Sequence, residues 1–222
     1  MSAVDEIIDL LKEKSNQANL AGMQRYGIDT SKALGIPIPE LRKMARVIKK
    51  DHALALILWD AGWHETRILA SMVDDPLLVT SKQINDWVND FNSWDICDQV
   101  CGNLFDQTPF AIEKALAFSS DNQEFIKRAG FALMAGYAIH NKTADDKTFI
   151  NFLQIIEREA WDNRNFVKKA VNWALRQIGK RNHILKIAAI ETASRILQQE
   201  SKSAKWIALD ALKELTKNAA LS

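Results

Sequence analysis

The segment Ser-Trp-Asp-Ile-Cys-Asp at residues 93–98 places an indole and a carboxylate four residues apart. In a helix this spacing stacks Trp94 and Asp98 on one face. A helical wheel over the predicted helix 94–105 puts Asp98 between Trp94 and Phe105. A carboxylate between aromatic rings loses hydration, which costs free energy unless it has a partner or a function. Asp98 is therefore a candidate for stabilising a cation. The alternative is that it caps a helix or pairs with a cation on a neighbouring helix.

A second candidate surface lies further along the chain, where cations alternate with an indole. Successive spacings of four, three and four residues place one group of side chains on one side of a predicted helix at 163–179: Lys169, Trp173, Arg176 and Lys180. The opposite side is predicted to pack against neighbouring helices through Val167, Ala170, Val171, Ala174 and Ile178. An indole among cations can stack on a ligand or attract positive groups. The alternative is that the indole packs on an adjacent repeat and the cations are solvated.

These residues belong to a segment that occurs twice. DNQEFIKRA at 121–129 returns as DNRNFVKKA at 162–170, an offset of 41 residues. A repeat of this length, opening with Asp-Asn at a helix start and continuing into an Ala-rich apolar pattern, is typical of paired-helix solenoids. Such proteins present long concave surfaces to large ligands.

The offset maps Lys169 of the second copy onto Arg128 of the first, and Trp173 onto Ala132. We predict that this face of the first copy lets a ligand backbone approach closely beside one arginine. An arginine so placed can bind a phosphate with a bidentate fork. The alternative is that Arg128 pairs with Glu124 or another acid.

Helical periodicity with cap and stop signals continues along almost the whole chain. We predict about twelve helices in about six pairs, the first at residues 3–19. Only 8 Gly and 4 Pro interrupt the 222 residues, and no stretch alternates convincingly with period two. The pattern predicts one all-α, right-handed helical-repeat domain over residues 1–222.

Charge is distributed unevenly between the two halves. Residues 1–111 carry 11 Lys and Arg against 16 Asp and Glu, a balance of −5, whereas residues 112–222 carry 18 against 12, a balance of +6. A polyanion would prefer the C-terminal half, although ordinary solvated helix faces would give the same count. No apolar run approaches the roughly 18 residues of a membrane span. Acidic residues near the N-terminus do not fit a signal peptide, so we expect a cytoplasmic protein.

Cys97 and Cys101 are the only cysteines, four apart on one predicted helix, so they could share a metal or a disulfide. Two ligands are too few for a structural zinc site, and both cysteines lie on an apolar face. We predict that they are small core residues.

Together, Ser-Trp-Asp-x-x-Asp at 93–98, Lys-Arg-Ala at 127–129 and Lys-Lys-Ala-x-x-Trp-x-Leu-Arg at 168–176 resemble the AlkD-type DNA glycosylases. These form the HEAT-like repeat family of DNA alkylation repair enzymes. Met-Gln-Arg-Tyr at 23–26 and the segment at 34–43 extend the likeness over nearly the whole chain. The resemblance implies an all-α α-α superhelix, a solenoid of about six HEAT-like helical repeats whose concave face binds DNA.

The resemblance also implies an activity: hydrolysis of the N-glycosidic bond of positively charged N3- or N7-alkylated purines in duplex DNA, without flipping the lesion into a pocket. Such an enzyme would act in base excision repair. By this likeness the catalytic residues are Asp98, Trp94 and Trp173, and the DNA-binding residues are Arg128, Tyr26, Lys169, Arg176 and Lys180. The chain departs at Ser93, where the family commonly has a second aromatic residue. We expect that position to be peripheral to the chemistry, so the departure concerns packing instead.

The chemistry of the proposed substrate agrees with these residues. A cationic purine is already a good leaving group, so the enzyme has to stabilise the developing sugar cation and place a water, both of which Asp98 can do. Neither a metal nor a cofactor is required. We expect a monomer whose partner is double-stranded DNA with alkylated bases. Two alternatives are a non-catalytic binder of DNA or of unusual DNA structures on the same scaffold, and a helical-repeat scaffold for proteins.

Overall fold

A computed structural model describes residues 3–217, and all regular secondary structure in that range is helical. The all-α prediction is therefore confirmed, with thirteen α-helices and one short 3-10 helix (Phe105–Gln107) in the described range. The α-helices are α1 (Ala3–Glu13), α2 (Gln17–Arg25), α3 (Ile38–Ile48), α4 (His52–Asp60), α5 (His64–Val73), α6 (Ser81–Asn89), α7 (Trp94–Asn103), α8 (Ala111–Phe118), α9 (Glu124–His140), α10 (Asp146–Glu159), α11 (Asn165–Gly179), α12 (His183–Leu197) and α13 (Lys202–Lys217).

The single helix predicted at residues 3–19 is wrong, because α1 and α2 share this region. The side chain of Asn16 accepts a hydrogen bond from the backbone amide of Asn19 at 3.2 Å and so caps the start of α2. Asparagine is one of the preferred N-cap residues, and a cap here starts a new helix rather than continuing the old one. α2 carries the chain to Tyr26, which follows its last residue.

The chain forms two compact units, Met1–Thr108 and Pro109–Ser222. In the first unit α3, α5 and α7 pack side by side, and α4 packs against α5. Leu69 of α5 and Ile96 of α7 are among the buried residues of this core. The assignment of one domain to residues 1–222 stays a prediction.

In the second unit α9, α11 and α13 pack side by side, while α12 packs against α10, α11 and α13. The apolar face predicted for α11 is confirmed, because all five of its side chains are fully buried: Val167, Ala170, Val171, Ala174 and Ile178. Burial of such a face is what holds a helical repeat to its neighbours.

The 41-residue repeat is also a structural repeat. Asp121 accepts a hydrogen bond from the backbone amide of Gln123 at 2.7 Å, and Asp162 accepts one from the amide of Arg164 at 3.0 Å. The Asp-Asn pairs therefore form a turn just before α9 and α11 instead of capping them. The rings of Phe125 and Phe166, at equivalent positions, lie 5.7 Å apart between centroids.

Side chains also connect one repeat of the second unit to the backbone of the next. Arg164 donates to the carbonyl of Asn122 at 2.6 Å, and Arg181 donates to the carbonyl of Ala138 at 2.6 Å. Asn172 of α11 donates to the carbonyl of Ile207 on α13 at 3.1 Å. The carbonyl of Ala138 lies in the last turn of α9, where no intrahelical donor is available, whereas that of Ile207 lies inside α13 and gains a second donor.

Candidate nucleic-acid interface

In the first unit the structure brings Tyr26 and Trp94 together. The indole nitrogen of Trp94 donates a hydrogen bond to the backbone carbonyl of Tyr26 at 2.9 Å. The Tyr26 side chain itself stays in solvent, with 72% of the residue surface exposed. Because the acceptor is a backbone atom, the bond fixes the plane of the indole while leaving the phenol available for a ligand.

The start of α7 is held by a second contact, directly after Trp94. His64, the first residue of α5, places Nε2 2.9 Å from Oδ2 of Asp95. His64 is buried, and its backbone amide donates to the carbonyl of Lys32 at 2.8 Å. The first turn of α7 is therefore anchored to the neighbouring helix, which sets the direction of the face carrying Trp94.

Asp98 lies one turn after Trp94 on α7 and is half-buried. Its carboxylate disfavours ionisation of the Cys101 thiol. Burial, a hydrogen bond with Cys97 and the nearby carboxylates of Asp98 and Asp106 raise the pKa of that thiol well above its ordinary value. Both cysteines are buried thiols that form no disulfide within residues 3–217, which confirms that they are core residues.

The helix predicted over residues 94–105 extends too far, and a position of Phe105 beside Asp98 stays a prediction. α7 ends at Asn103, and the backbone turns at Leu104 with φ −135 and ψ −61. Phe105 follows in the 3-10 helix, where it is fully buried with its ring 6.0 Å from that of Trp87. A wheel drawn through residue 105 cannot describe a helix that stops before it.

Ser93 is part of the packed interior. This residue precedes α7 and is fully buried, and its hydroxyl oxygen has no hydrogen-bond partner within the described part of the chain. This burial agrees with the expectation that the position concerns packing, and its separation from the chemistry stays a prediction. A second aromatic here would occupy core volume, so the departure from the family pattern changes packing at the base of the candidate catalytic helix.

In the second unit Lys169 and Trp173 lie on the side of α11 opposite its buried face. Lys169 is exposed and Trp173 is half-buried. Within residues 3–217 neither side chain makes a hydrogen bond, ion pair or ring contact. An indole nitrogen and an ammonium without protein partners are available to a ligand.

Arg176 and Lys180 continue this side of α11, but acids of α13 pair with both of them. Arg176 Nη1 and Lys180 Nζ contact different oxygens of the Glu214 carboxylate. Arg176 Nε lies 3.7 Å from Oδ2 of Asp210. Sequence reasoning missed these two acids, although their spacing of four residues was a signal that they share one face of a helix.

Arg128 has a different environment from its counterpart Lys169. Arg128 is only 5% exposed, and its guanidinium donates to the backbone carbonyl of Phe166 in the first turn of α11. Ala132 is buried too, because α9 packs against both α8 and α11. The prediction that a ligand backbone approaches closely at Ala132 is therefore wrong, and a DNA contact for Arg128 stays a prediction.

Lys127, next to Arg128, is the centre of a buried ion-pair network. Its ammonium lies 2.7 Å from Glu159 Oε2, 3.1 Å from Asp162 Oδ2 and 5.0 Å from the ring centroid of Trp161. Burial opposes ionisation of Asp162, but hydrogen bonds from Arg164 and Lys127 outweigh it and lower the pKa of that carboxyl to about 2. This cluster is a structural joint between repeats.

Two further observations concern membranes and metals. No helix among residues 3–217 is both long and apolar enough to cross a membrane. Within the same described range, no group of three or more His, Cys, Asp or Glu side chains is arranged to hold a metal ion.

The stacked helix pairs define the class of this molecule as a HEAT-like helical-repeat protein. The chain belongs to the DNA alkylation repair enzyme family, which it matches over residues 7–215. The family resemblance noted in the sequence is therefore confirmed.

A solved structure is similar to this fold. It is described as "A new family of proteins related to the HEAT-like repeat DNA glycosylases with affinity for branched DNA structures". The match has a TM-score of 0.80 and 16% sequence identity, and covers 98% of this chain and 95% of that chain. At this identity the likeness establishes the fold. No curated protein matched the sequence.

Proposed function

We propose that this protein is a DNA glycosylase that removes positively charged N3- or N7-alkylated purines from duplex DNA. One observation supports the proposal most strongly: Asp98 is half-buried one turn after Trp94, and the Trp94 indole is fixed by its bond to Tyr26. A carboxylate and a rigid aromatic face on one side of a helix can together stabilise a cation.

In the proposed reaction a water attacks C1′ of the deoxyribose as the bond from C1′ to the base nitrogen breaks. The base leaves with the bonding electron pair, which neutralises its positive charge. Asp98 stabilises the oxocarbenium-like sugar and accepts the proton of the attacking water. The indoles of Trp94 and Trp173 offer π faces to cationic groups.

The second unit is proposed to supply DNA binding. Lys169 is an exposed cation without a partner among residues 3–217, and Trp173 follows it one turn later. Residues 112–222 also carry the excess of positive charge, which attracts a polyanion. Arg176 and Lys180 are proposed to contact phosphates on the same side of α11. A cytoplasmic location and a monomeric state are part of this proposal.

A second candidate function is binding of branched DNA without catalysis. The similar solved structure belongs to a family with affinity for branched DNA structures, which favours this possibility. The two functions share the surface on α11, but only the glycosylase needs the Asp98 carboxylate.

The test is release of free N7-methylguanine from methylated duplex DNA by the purified protein. We expect the wild type to release the base and Asp98→Asn to lose on the order of 10²–10³-fold in rate while still binding DNA. Asp86→Asn is the matched control, because Asp86 is exposed and pairs with Lys82 on the surface of the same unit. It should keep the wild-type rate.

The same samples separate the two candidate functions. No base release by wild type, together with tighter binding to a four-way junction than to a duplex, would replace the glycosylase with the branched-DNA binder. Release by Asp98→Asn at the wild-type rate would reject the assigned mechanism even if the activity itself is present.

A further inference from the structure

Glu214 of α13 forms ion pairs with two of the candidate phosphate-binding cations of α11. Arg176 contacts Oε2 of its carboxylate and Lys180 contacts Oε1. The side chains of Arg176, Lys180 and Glu214 are 27%, 43% and 34% exposed, so the group is open to solvent. Two cations therefore hold the two oxygens of one accessible anion.

Arg176 and Lys180 would hold a phosphate in the same way as they hold this carboxylate. A guanidinium and an ammonium directed at separate oxygens of one anionic group bind phosphate and carboxylate alike. A cavity of about 270 Å³ lies beside the pair, lined by Lys180, Lys186 and Glu214 among other residues. Lys186 adds a third cation to the wall of this cavity.

The pairing is confined to one end of the candidate surface. Lys169 and Trp173, in the first half of α11, have no partner within residues 3–217, whereas Arg176 and Lys180 share Glu214. The positive field of the surface is thus partly cancelled only near the C-terminal end of α11.

We infer that Glu214 occupies the place of a DNA phosphate in the free protein, and that a phosphate displaces it when DNA binds. The inference rests on the DNA binding proposed above. Glu214 thereby limits affinity for undamaged DNA, since every phosphate contact by Arg176 and Lys180 first requires loss of an existing ion pair.

The energetics allow such an exchange. A hydrogen bond from Lys180, followed by one from Arg176, lowers the pKa of Glu214, so the carboxylate is ionised at neutral pH and competes with phosphate. Ion pairs at partly exposed positions are weak, which makes the displacement inexpensive. Removing the competitor should raise DNA affinity by about fivefold near physiological salt.

The experiment measures binding of a fluorescent undamaged duplex to wild type, Glu214→Gln and Glu191→Gln. Glu191 of α12 is the matched control, because it is exposed and has no partner within the described residues. Both variants remove one negative charge. We expect about fivefold tighter binding for Glu214→Gln and a change of less than about twofold for Glu191→Gln.

A double variant separates local exchange from a general charge effect. Starting from Lys180→Gln, the addition of Glu214→Gln should give a smaller gain than it gives in the wild type, because one of the competing cations is gone. Circular dichroism and thermal unfolding establish that each variant is folded. Equal gains from the two single variants, or weaker binding by Glu214→Gln, would overturn the inference.

The outcome is also distinct from failure of the proposed function. If the wild type binds duplex and Glu214→Gln binds no tighter, only the role of Glu214 is rejected. If neither protein binds any DNA, both proposals are rejected together.

Discussion

Lys127 and Lys168 occupy the same position in the two copies of the repeat, but their surroundings differ. Lys127 is 4% exposed and pairs with Glu159 and Asp162, whereas Lys168 is half-buried with its ammonium 5.2 Å from the ring centroid of Trp206. The next residue in each copy also differs in exposure, since Arg128 is buried and its counterpart Lys169 is exposed.

The difference shows that the repeated motif specifies a helix and its apolar face but not the exposure of its cations. In the first copy the acids of the following segment and the backbone at Phe166 bind both cations. In the second copy Trp206 takes the place of an acid beside Lys168, and Lys169 has no partner within residues 3–217. The first copy therefore stabilises the protein, whereas the second leaves Lys169 exposed to solvent.

Lys127→Met should have the largest effect, a loss of stability, because Lys127 belongs to the copy whose cations are buried. Removing Lys127 takes the shared cation from two buried carboxylates and leaves each with one arginine, which costs about 3 kcal/mol in the free energy of unfolding. Lys168→Met, the matched change in the second copy, should cost less than about 1 kcal/mol. Urea denaturation of the two variants measures both values, and equal losses would contradict the structural difference.

Acid should weaken the same network. The pKa of Asp162 is about 2 in the folded protein against an ordinary value of 3.8, so its ionised form stabilises the fold above about pH 5. This contribution, about 2 kcal/mol, should disappear as the pH falls from about 5 to 2. Unfolding free energies measured across this range should fall less steeply for Asp162→Asn than for wild type. Identical slopes would show that Asp162 is not the group responsible.

Trp173→Ala tests the DNA binding proposed for the second copy of the repeat. Loss of a stacking or cation-binding indole should weaken DNA affinity by about 1–2 kcal/mol, roughly tenfold. Trp161 is 56% exposed and lies over the Lys127 network rather than on α11, so Trp161→Ala is the matched control. Gel-shift titrations should show near-normal affinity for the control. A similar loss for both variants would point to a general effect of removing exposed indoles.

The smallest expected effect is a difference between Lys169 and Arg128 in the salt dependence of DNA binding. Lys169→Gln should reduce the slope of log affinity against log salt by about 1, because one phosphate contact is lost. Arg128→Gln should leave that slope unchanged and lower thermal stability, since its guanidinium holds the carbonyl of Phe166. Binding measured at four or more salt concentrations decides the point. A reduced slope for Arg128→Gln would restore its predicted role as a phosphate contact.

Much of the fold could be predicted from the sequence. The apolar face of α11 and the 41-residue repeat are local patterns, and both are present in the structure. The division between α1 and α2 was missed because the cap at Asn16 lies inside a pattern that also fits a continuous helix. The end of α7 before Phe105 was missed because the sequence pattern there also fits a helix that continues through Phe105.

The candidate site was harder to predict, because exposure depends on residues distant in sequence. A wheel places Arg128 on the face that carries Lys169 in the second copy, but it cannot show that the carbonyl of Phe166 binds the guanidinium. The pairing of Arg176 with Glu214 crosses 38 residues and depends on how α11 and α13 pack. The contact between Trp94 and Tyr26 spans 68 residues and has no local signal.

The bonds from Arg164, Asn172 and Arg181 to backbone carbonyls of other repeats have a consequence for divergence among relatives. A carbonyl is present whatever side chain its residue bears, so each acceptor position can mutate without losing its bond. Only the donors have to be retained for the helices to keep their alignment. This freedom is one physical route by which two chains that share 16% of their residues can keep one architecture.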